Sequence, residues 1–326
     1  MRSLLVVVAL AAACSSSEDT AGPGAGGGDG AGGGAGAPID GGPGGGGGSG
    51  GAACSPSADQ FPRAWIRGGA DCAGETEIQV HRLDRDTFIL RQSLCTSFEG
   101  PFLYLLFGQD RALLEDTGAG GIAVADAVLA IIDQVLAERG QDSIELVVAN
   151  SHGHGDHIAG NGQFEGLPRV TVVGYTVPEV IDFFSISPWP EDTASIDLGG
   201  REVDVIPIPG HERAHIALYD AAAGLLLTGD TLYPGRLYIR DFAEYRASID
   251  RLVEFASGVD VCWVLGTHVE MTTTPGEDFP NGATFHPDEH RLQLGMEHLL
   301  ELQAAVTAMG EQPVREVHDD FIVTPL

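Results

Sequence analysis

Ser151-His152-Gly153-His154-Gly155-Asp156-His157 places three imidazoles and one carboxylate within six consecutive positions, interleaved with glycine. Histidine and aspartate are both metal ligands, and glycine lets the backbone curl tightly enough to aim all four side chains at one point. His152 and His154 are two apart, so a helix would send them to different faces. The apolar run 144–150 immediately before reads as a buried strand, which puts the motif in a loop at a strand end. A histidine-rich surface loop is the alternative, and the density of ligand types weighs against it.

Four ligands in one loop do not close two metal sites, so partners are expected at other strand ends. Three apolar runs end in a glycine followed at once, or one residue later, by a ligand type. Run 203–209 leads to Gly210-His211, run 224–228 to Gly229-Asp230, and run 259–265 to Gly266-Thr267-His268. A lone Gly-His or Gly-Asp is ordinary turn chemistry; the repeated order of strand, glycine and ligand is not. With these motifs in this order, residues 75–270 resemble the metallo-β-lactamase superfamily of binuclear metal hydrolases.

The resemblance implies that His152, His154 and His211 hold one ion and that Asp156, His157 and His268 hold a second, with Asp230 bridging. Imidazole and carboxylate donors suit Zn²⁺, two per chain, with iron or manganese as alternatives. The implied reaction is hydrolysis by a metal-bridging hydroxide, without a serine or cysteine nucleophile. Asp156 and Tyr233 are the candidates for a direct part in catalysis. Tyr233 lies three residues after Asp230, as does a tyrosine that steadies the carbonyl oxygen in lactonases of the superfamily; packing under the loop is its other reading. His215, four after His211, is expected to support the ligands from behind. His81, His290, His298 and His318 lack ligand-like neighbours. The segment 275–287, which contains His286, is either a wall of the substrate pocket or a plain connection.

Departures from known branches narrow the activity. True β-lactamases of the superfamily generally lack the carboxylate at the Asp230 position, and the diiron flavoproteins carry glutamate where His154 stands. Thioester hydrolases like glyoxalase II share all seven ligands and Gly229-Asp230-Thr231-Leu232. They grip glutathione with basic side chains from a C-terminal segment, whereas residues 269–326 here contain only Arg291 and Arg315. The expected substrate is therefore an ester, lactone or thioester other than that of glutathione. A β-lactamase-type amide hydrolase and a non-catalytic zinc-binding surface lipoprotein are the alternatives.

Composition sets further bounds. The chain has 17 basic residues, all arginine, against 47 acidic ones, for a formal charge of −30. With no lysine, Schiff-base chemistry is excluded. The acidity argues against nucleic acid and anionic membranes as partners, leaving a small-molecule substrate. Met1-Arg2-Ser3, a short apolar run and Ala11-Ala12-Ala13-Cys14 resemble a bacterial lipoprotein signal, with cleavage after residue 13 and lipid added to Cys14. An exported chain anchored to a membrane only through that lipid follows. Residues 14–53 are mostly glycine and alanine, a flexible tether with a reach of roughly 30–35 Å. Export makes disulfides plausible, with a Cys54–Cys72 bridge fixing an irregular stretch and Cys95 and Cys262 as buried thiols or a second pair.

Residues 54–326 then form one hydrolase domain. Strands are expected over 77–83, 87–94, 101–107, 111–116, 201–209 and 217–228, and helices over 122–139, 241–256 and 288–309. The opening strands look antiparallel and later ones alternate with helices. Together with the resemblance, this predicts an α/β fold with two sheets packed between helices, a four-layered αββα sandwich with metals at the strand ends.

Overall fold

Every side chain of the strand Phe102–Phe107 is buried, although alternate residues point in opposite directions. Both faces of its sheet must therefore be covered. In the computed structural model, which describes residues 56–326, six strands form the first sheet. They are β1 (Ile78–Arg82), β2 (Thr87–Gln92), β3 (Phe102–Phe107), β4 (Arg111–Glu115), β5 (Glu145–Ala149) and β6 (Val170–Val172), paired in that order. The first four run antiparallel, and β4, β5 and β6 are parallel. The helix α1 (Val124–Arg139) makes the β4–β5 crossover; α2 (Gly155–Ile158) and α3 (Val177–Phe184) follow later.

The second sheet contains β7 (Ala194–Asp197), β8 (Glu202–Pro207), β9 (Ile216–Asp220) and β10 (Leu225–Gly229). After β11 (Arg236–Ile239) and α4 (Phe242–Ala256), β12 (Trp263–Gly266) returns to it beside β10, giving the order β12-β10-β9-β8-β7. Beyond α5 (Met296–Met309), β13 (Glu316–Val317) and β14 (Ile322–Pro325) join β11 in a small third sheet.

Strand alternation sorts the apolar residues into three layers. Leu103, Leu105 and Phe107 of β3 pack with Val128, Ile132 and Val135 of α1. Phe102, Tyr104 and Leu106 face the other way and meet Val203, Val205, Leu218 and Leu227 of the second sheet. Ile206, Ala217, Leu226 and Val264 of that sheet then face Ile249 and Leu252 of α4 and Leu299 and Leu302 of α5. Helix, sheet, sheet, helix is the expected order of layers.

Several expectations need correcting. The run 217–228 is two strands separated by a turn at 221–224. The helix expected over 288–309 begins only at Met296, because Leu294 exchanges backbone hydrogen bonds with Val264 of β12 in an isolated bridge. Cys72 bonds to Cys95 rather than Cys54, and Cys262 is also disulfide-bonded rather than a buried thiol. The leader, Cys14, the glycine tether and Cys54 lie outside the described residues. Among the described residues no helix is long and apolar enough to cross a membrane.

Arg201 ties the two sheets together. Its guanidinium pairs with Asp220 of β9 at 2.5 Å, and also donates to Thr87 Oγ1 at 2.8 Å and the Asp86 carbonyl at 2.7 Å. Asp220 is wholly buried, so without Arg201 it keeps no counter-charge. Arg201→Met should lower the unfolding free energy by about 3–5 kcal/mol in urea denaturation, and a loss below about 1 kcal/mol would contradict the bridging role.

Candidate metal centre

Four strand ends converge on one edge of the sandwich. The loop after β5 carries His152, His154, Asp156 and His157; His211 follows β8, Asp230 follows β10, and His268 follows β12. The strand–glycine–ligand pattern has a steric cause. Gly210 has φ +137°, and a Cβ there would lie 2.4 Å from the Tyr245 backbone; Gly229 has φ +51°, and a Cβ would lie 2.4 Å from His215 Nε2. Neither turn tolerates a side chain, so the ligand that follows is held in one place.

All seven predicted ligand residues come together, in two groups. His152, His154, His211 and Asp230 form one and Asp156, His157 and His268 the other, with the donor atoms of each group within 4.8 Å of one another. His152 Nε2 and His211 Nε2 lie 2.8 and 3.0 Å from His154 Nδ1. Asp156 Oδ2 lies 3.4 Å from His157 Nε2 and 3.3 Å from His268 Nε2. Asp230 turns one oxygen to each group: Oδ2 is 3.4 Å from His211 Nε2, and Oδ1 is 3.5 and 3.3 Å from His157 and His268 Nε2.

The far sides of the rings show which atoms are meant to face inward. His157 Nδ1 lies 2.7 Å from Asp116 Oδ2, His211 Nδ1 2.7 Å from the Tyr238 carbonyl, and His268 Nδ1 2.9 Å from the Glu99 carbonyl. These acceptors fix the proton on Nδ1 and leave the Nε2 lone pair aimed at the centre. His157 Nε2 is buried without a hydrogen-bond partner among the described residues. Such an orphaned donor atom is what a metal would satisfy. Tetrahedral coordination at 2.0–2.1 Å separates neighbouring ligand atoms by roughly 3.3 Å, close to the spacings here. The donor set and its geometry fit divalent metal ions.

Electrostatics agree. Burial lowers the pKa of His152, His154 and His211. Burial opposes charge on His157 and His268 too, but Asp116 and Asp230 beside the first, and Asp230 and Asp156 beside the second, raise both well above the ordinary value. Burial would raise Asp156 and Asp230, yet these same histidines hold both carboxyls low. With no ion between them the carboxylates draw protons onto His157 and His268, and a bound cation would take the place of that positive charge and free both Nε2 atoms to ligate.

A family model described as the metallo-beta-lactamase superfamily matches residues 98–294. The chain belongs to the metallo-beta-lactamase superfamily. Among curated proteins it is similar to a hydroxyacylglutathione hydrolase of Synechococcus sp. (strain JA-2-3B'a(2-13)), 34% identical over 161 residues, which are 46% of this chain and 58% of that one. A hydroxyacylglutathione hydrolase of Methylococcus capsulatus is 30% identical over 149 residues, 43% of this chain and 55% of that one. The chain thus spans little more than half the length of these relatives. A metallo-beta-lactamase from Pontibacter korlensis superposes with a TM-score of 0.48 at 16% identity, over 71% of this chain and 99% of that one, too loosely to carry an argument.

Other predicted residues fall into place around this superfamily centre. The Tyr233 hydroxyl donates to the Arg236 carbonyl at 2.5 Å while its ring lies against His268, so in this conformation its proton is committed and it packs. His215 is buried with its ring against His152 and His211, behind the ligands as expected. His286 stacks on Phe279 and faces Glu289, which grips Arg91 through both carboxylate oxygens; the 275–287 segment is a brace and lines none of the cleft beside His211. His290 and His298 share Asp320, His318 faces Glu301, and His81 faces the Gln60 carbonyl.

The sequence reading missed Asp116. It accepts from Ser151 N and Oγ at 2.7 and 2.8 Å as well as facing His157. Its signal was present: the strand 111–116 also ends on a carboxylate, followed by Thr117-Gly118. Ser151, His157 and Asp116 superficially resemble a nucleophile triad, but Ser151 is wholly buried behind the ligands and cannot meet a substrate. Asp116→Ala should weaken divalent-metal binding by about 10–100-fold in titrations against a competing chelator, and an unchanged affinity would remove Asp116 from the orienting role.

Proposed function

We propose that this chain is a binuclear, zinc-dependent hydrolase of acyl esters, lactones or thioesters. The observation that carries the reading is the shared Asp230 carboxylate, one oxygen facing each of two ligand groups, with the rings of His157, His211 and His268 pinned from behind. His152, His154, His211 and Asp230 would hold one ion, and Asp156, His157, His268 and Asp230 the other. Bound there, the ions would supply an activated water at neutral pH and polarise the scissile carbonyl. Thr267 Oγ1 donates to Asp230 Oδ1 at 2.5 Å and so fixes the carboxylate's orientation. The Asp116–His157 contact keeps that imidazole's proton away from the centre. The name shared by the curated relatives supports a thioester or a related acyl bond.

The basic grip expected for glutathione is not supported. Arg236 is taken up by Glu270 at 2.7 Å and Asp278 at 2.9 Å, and the C-terminal segment packs as α5 against α4 and as β14 beside β11. A β-lactamase activity is opposed by the carboxylate at position 230.

Export and a lipid on Cys14 belong to the same proposal. Besides the leader pattern, the Cys72–Cys95 disulfide supports an oxidising compartment. Fractionation of expressing bacteria should place the full chain with the membranes, and recovery from the cytosol would overturn that part.

The enzymatic part is tested with the full chain, zinc-loaded or stripped, on an aryl ester, an acyl lactone, a glutathione thioester and a cephalosporin. Metal-dependent turnover of an ester, lactone or non-glutathione thioester is expected, with the cephalosporin untouched. His154→Ala should abolish the activity and lower metal content while the far-ultraviolet circular dichroism stays the same. An unchanged rate in that variant would sink the metal-centre mechanism, and two bound ions without turnover would favour a non-catalytic zinc-binding lipoprotein.

A further inference from the structure

Beside His211 the surface opens into a cleft of about 650 Å³. Its apolar lining comes from Val177 at the start of α3, Trp189, Pro190 and Pro209. His211 belongs to both the cleft and the candidate metal centre, so the two adjoin.

Two arginines, Arg213 and Arg240, complete the lining together with Glu212, Asp241 and Glu244. Two of the three carboxylates accept backbone hydrogen bonds. Glu212 Oε2 accepts from Ala214 N at 2.7 Å, and Asp241 Oδ1 caps α4 by accepting from Glu244 N at 3.1 Å. Glu244 lies close enough to Arg251 for its charge to favour that guanidinium. Neither the Arg213 nor the Arg240 guanidinium has a hydrogen-bond or ion-pair partner among the described residues. Both side chains belong to exposed residues. A solvated arginine is ordinary on most surfaces. Here two of the chain's 17, in a protein of formal charge −30, line one cleft together with four apolar side chains and a ligand histidine.

We infer that this cleft binds the acyl part of the substrate, and that this part is an apolar chain or ring bearing a carboxylate clasped by Arg213 and Arg240. The guanidinium fork matches a carboxylate, is weakly hydrated, and needs little ordering to bind one. The apolar lining would take the methylenes or ring, as pocket walls do when a few polar groups set orientation. The word substrate rests on the hydrolase reading; the binding claim does not.

The test is therefore a binding measurement. The full chain, stripped of metal, is titrated calorimetrically with 6-phenylhexanoate and with the neutral 6-phenylhexanamide of the same shape. The carboxylate should bind at least about tenfold more tightly than the amide. In the double variant Arg213→Gln, Arg240→Gln that preference should collapse, and in Trp189→Ala both ligands should weaken together. Equal affinities in the parent chain, absence of binding by both ligands, or a preference that survives the double substitution would each overturn the inference. Turnover of a neutral aryl ester by the zinc-loaded chain reports separately on the hydrolase reading, so either idea can fail while the other stands.

Discussion

The Asp230 carboxylate is the point on which the arrangement turns. It is almost wholly buried, it stands between two groups of imidazoles, and each of its oxygens faces a different group. A buried carboxylate is costly unless positive charge and hydrogen bonds compensate it. Here it recruits His157, His268 and Thr267 on one side and His211 on the other. Meeting that demand requires β5, β8, β10 and β12, from two different sheets, to end at the same edge. The apolar layer between the sheets and the Arg201–Asp220 tie hold those ends in register. The site is thus a consequence of how the sandwich is closed.

The pinning of the rings extends the demand outward. Carbonyls of Glu99 and Tyr238 and the carboxylate of Asp116 come from three further segments, so the centre fixes the β2–β3 connection, β11 and the end of β4 as well. β11 in turn pairs with β14, which carries the fixed environment into the last residues of the chain. Arg236 and its two carboxylate partners brace the same region from the other side.

Much of this was readable in the sequence, for local reasons. The seven ligand types stand out because each follows a strand and a glycine, and both signals are carried by adjacent residues. The layer order follows from period-two burial in runs such as 102–107 and helical spacing in 124–139. What escaped depends on distant partners. Nothing near Glu99 or Tyr238 marks their carbonyls as acceptors for His268 and His211. Asp116 was legible but unread, because a carboxylate at one strand end gains meaning only beside the imidazole of another. The helix expected from residue 288 loses its first turns because Val264 claims the backbone of Leu294 for a bridge, a partner some thirty residues away in sequence. Cysteine spacing alone could not choose Cys72–Cys95 over Cys54–Cys72. Tyr233 sits at a suggestive position, but its hydroxyl is bound to a carbonyl three residues away.

The cleft beside His211 combines apolar lining with two arginines that have no side-chain partner among the described residues, in a strongly acidic protein. The centre itself is the more general claim and can be tested apart from any substrate. The most direct measurement is anomalous diffraction at the zinc edge from crystals of the zinc-loaded full chain. Two peaks about 3.5–4 Å apart, one on each side of the Asp230 carboxylate, are expected. A single peak, or zinc bound away from Asp230, would contradict a shared two-ion centre.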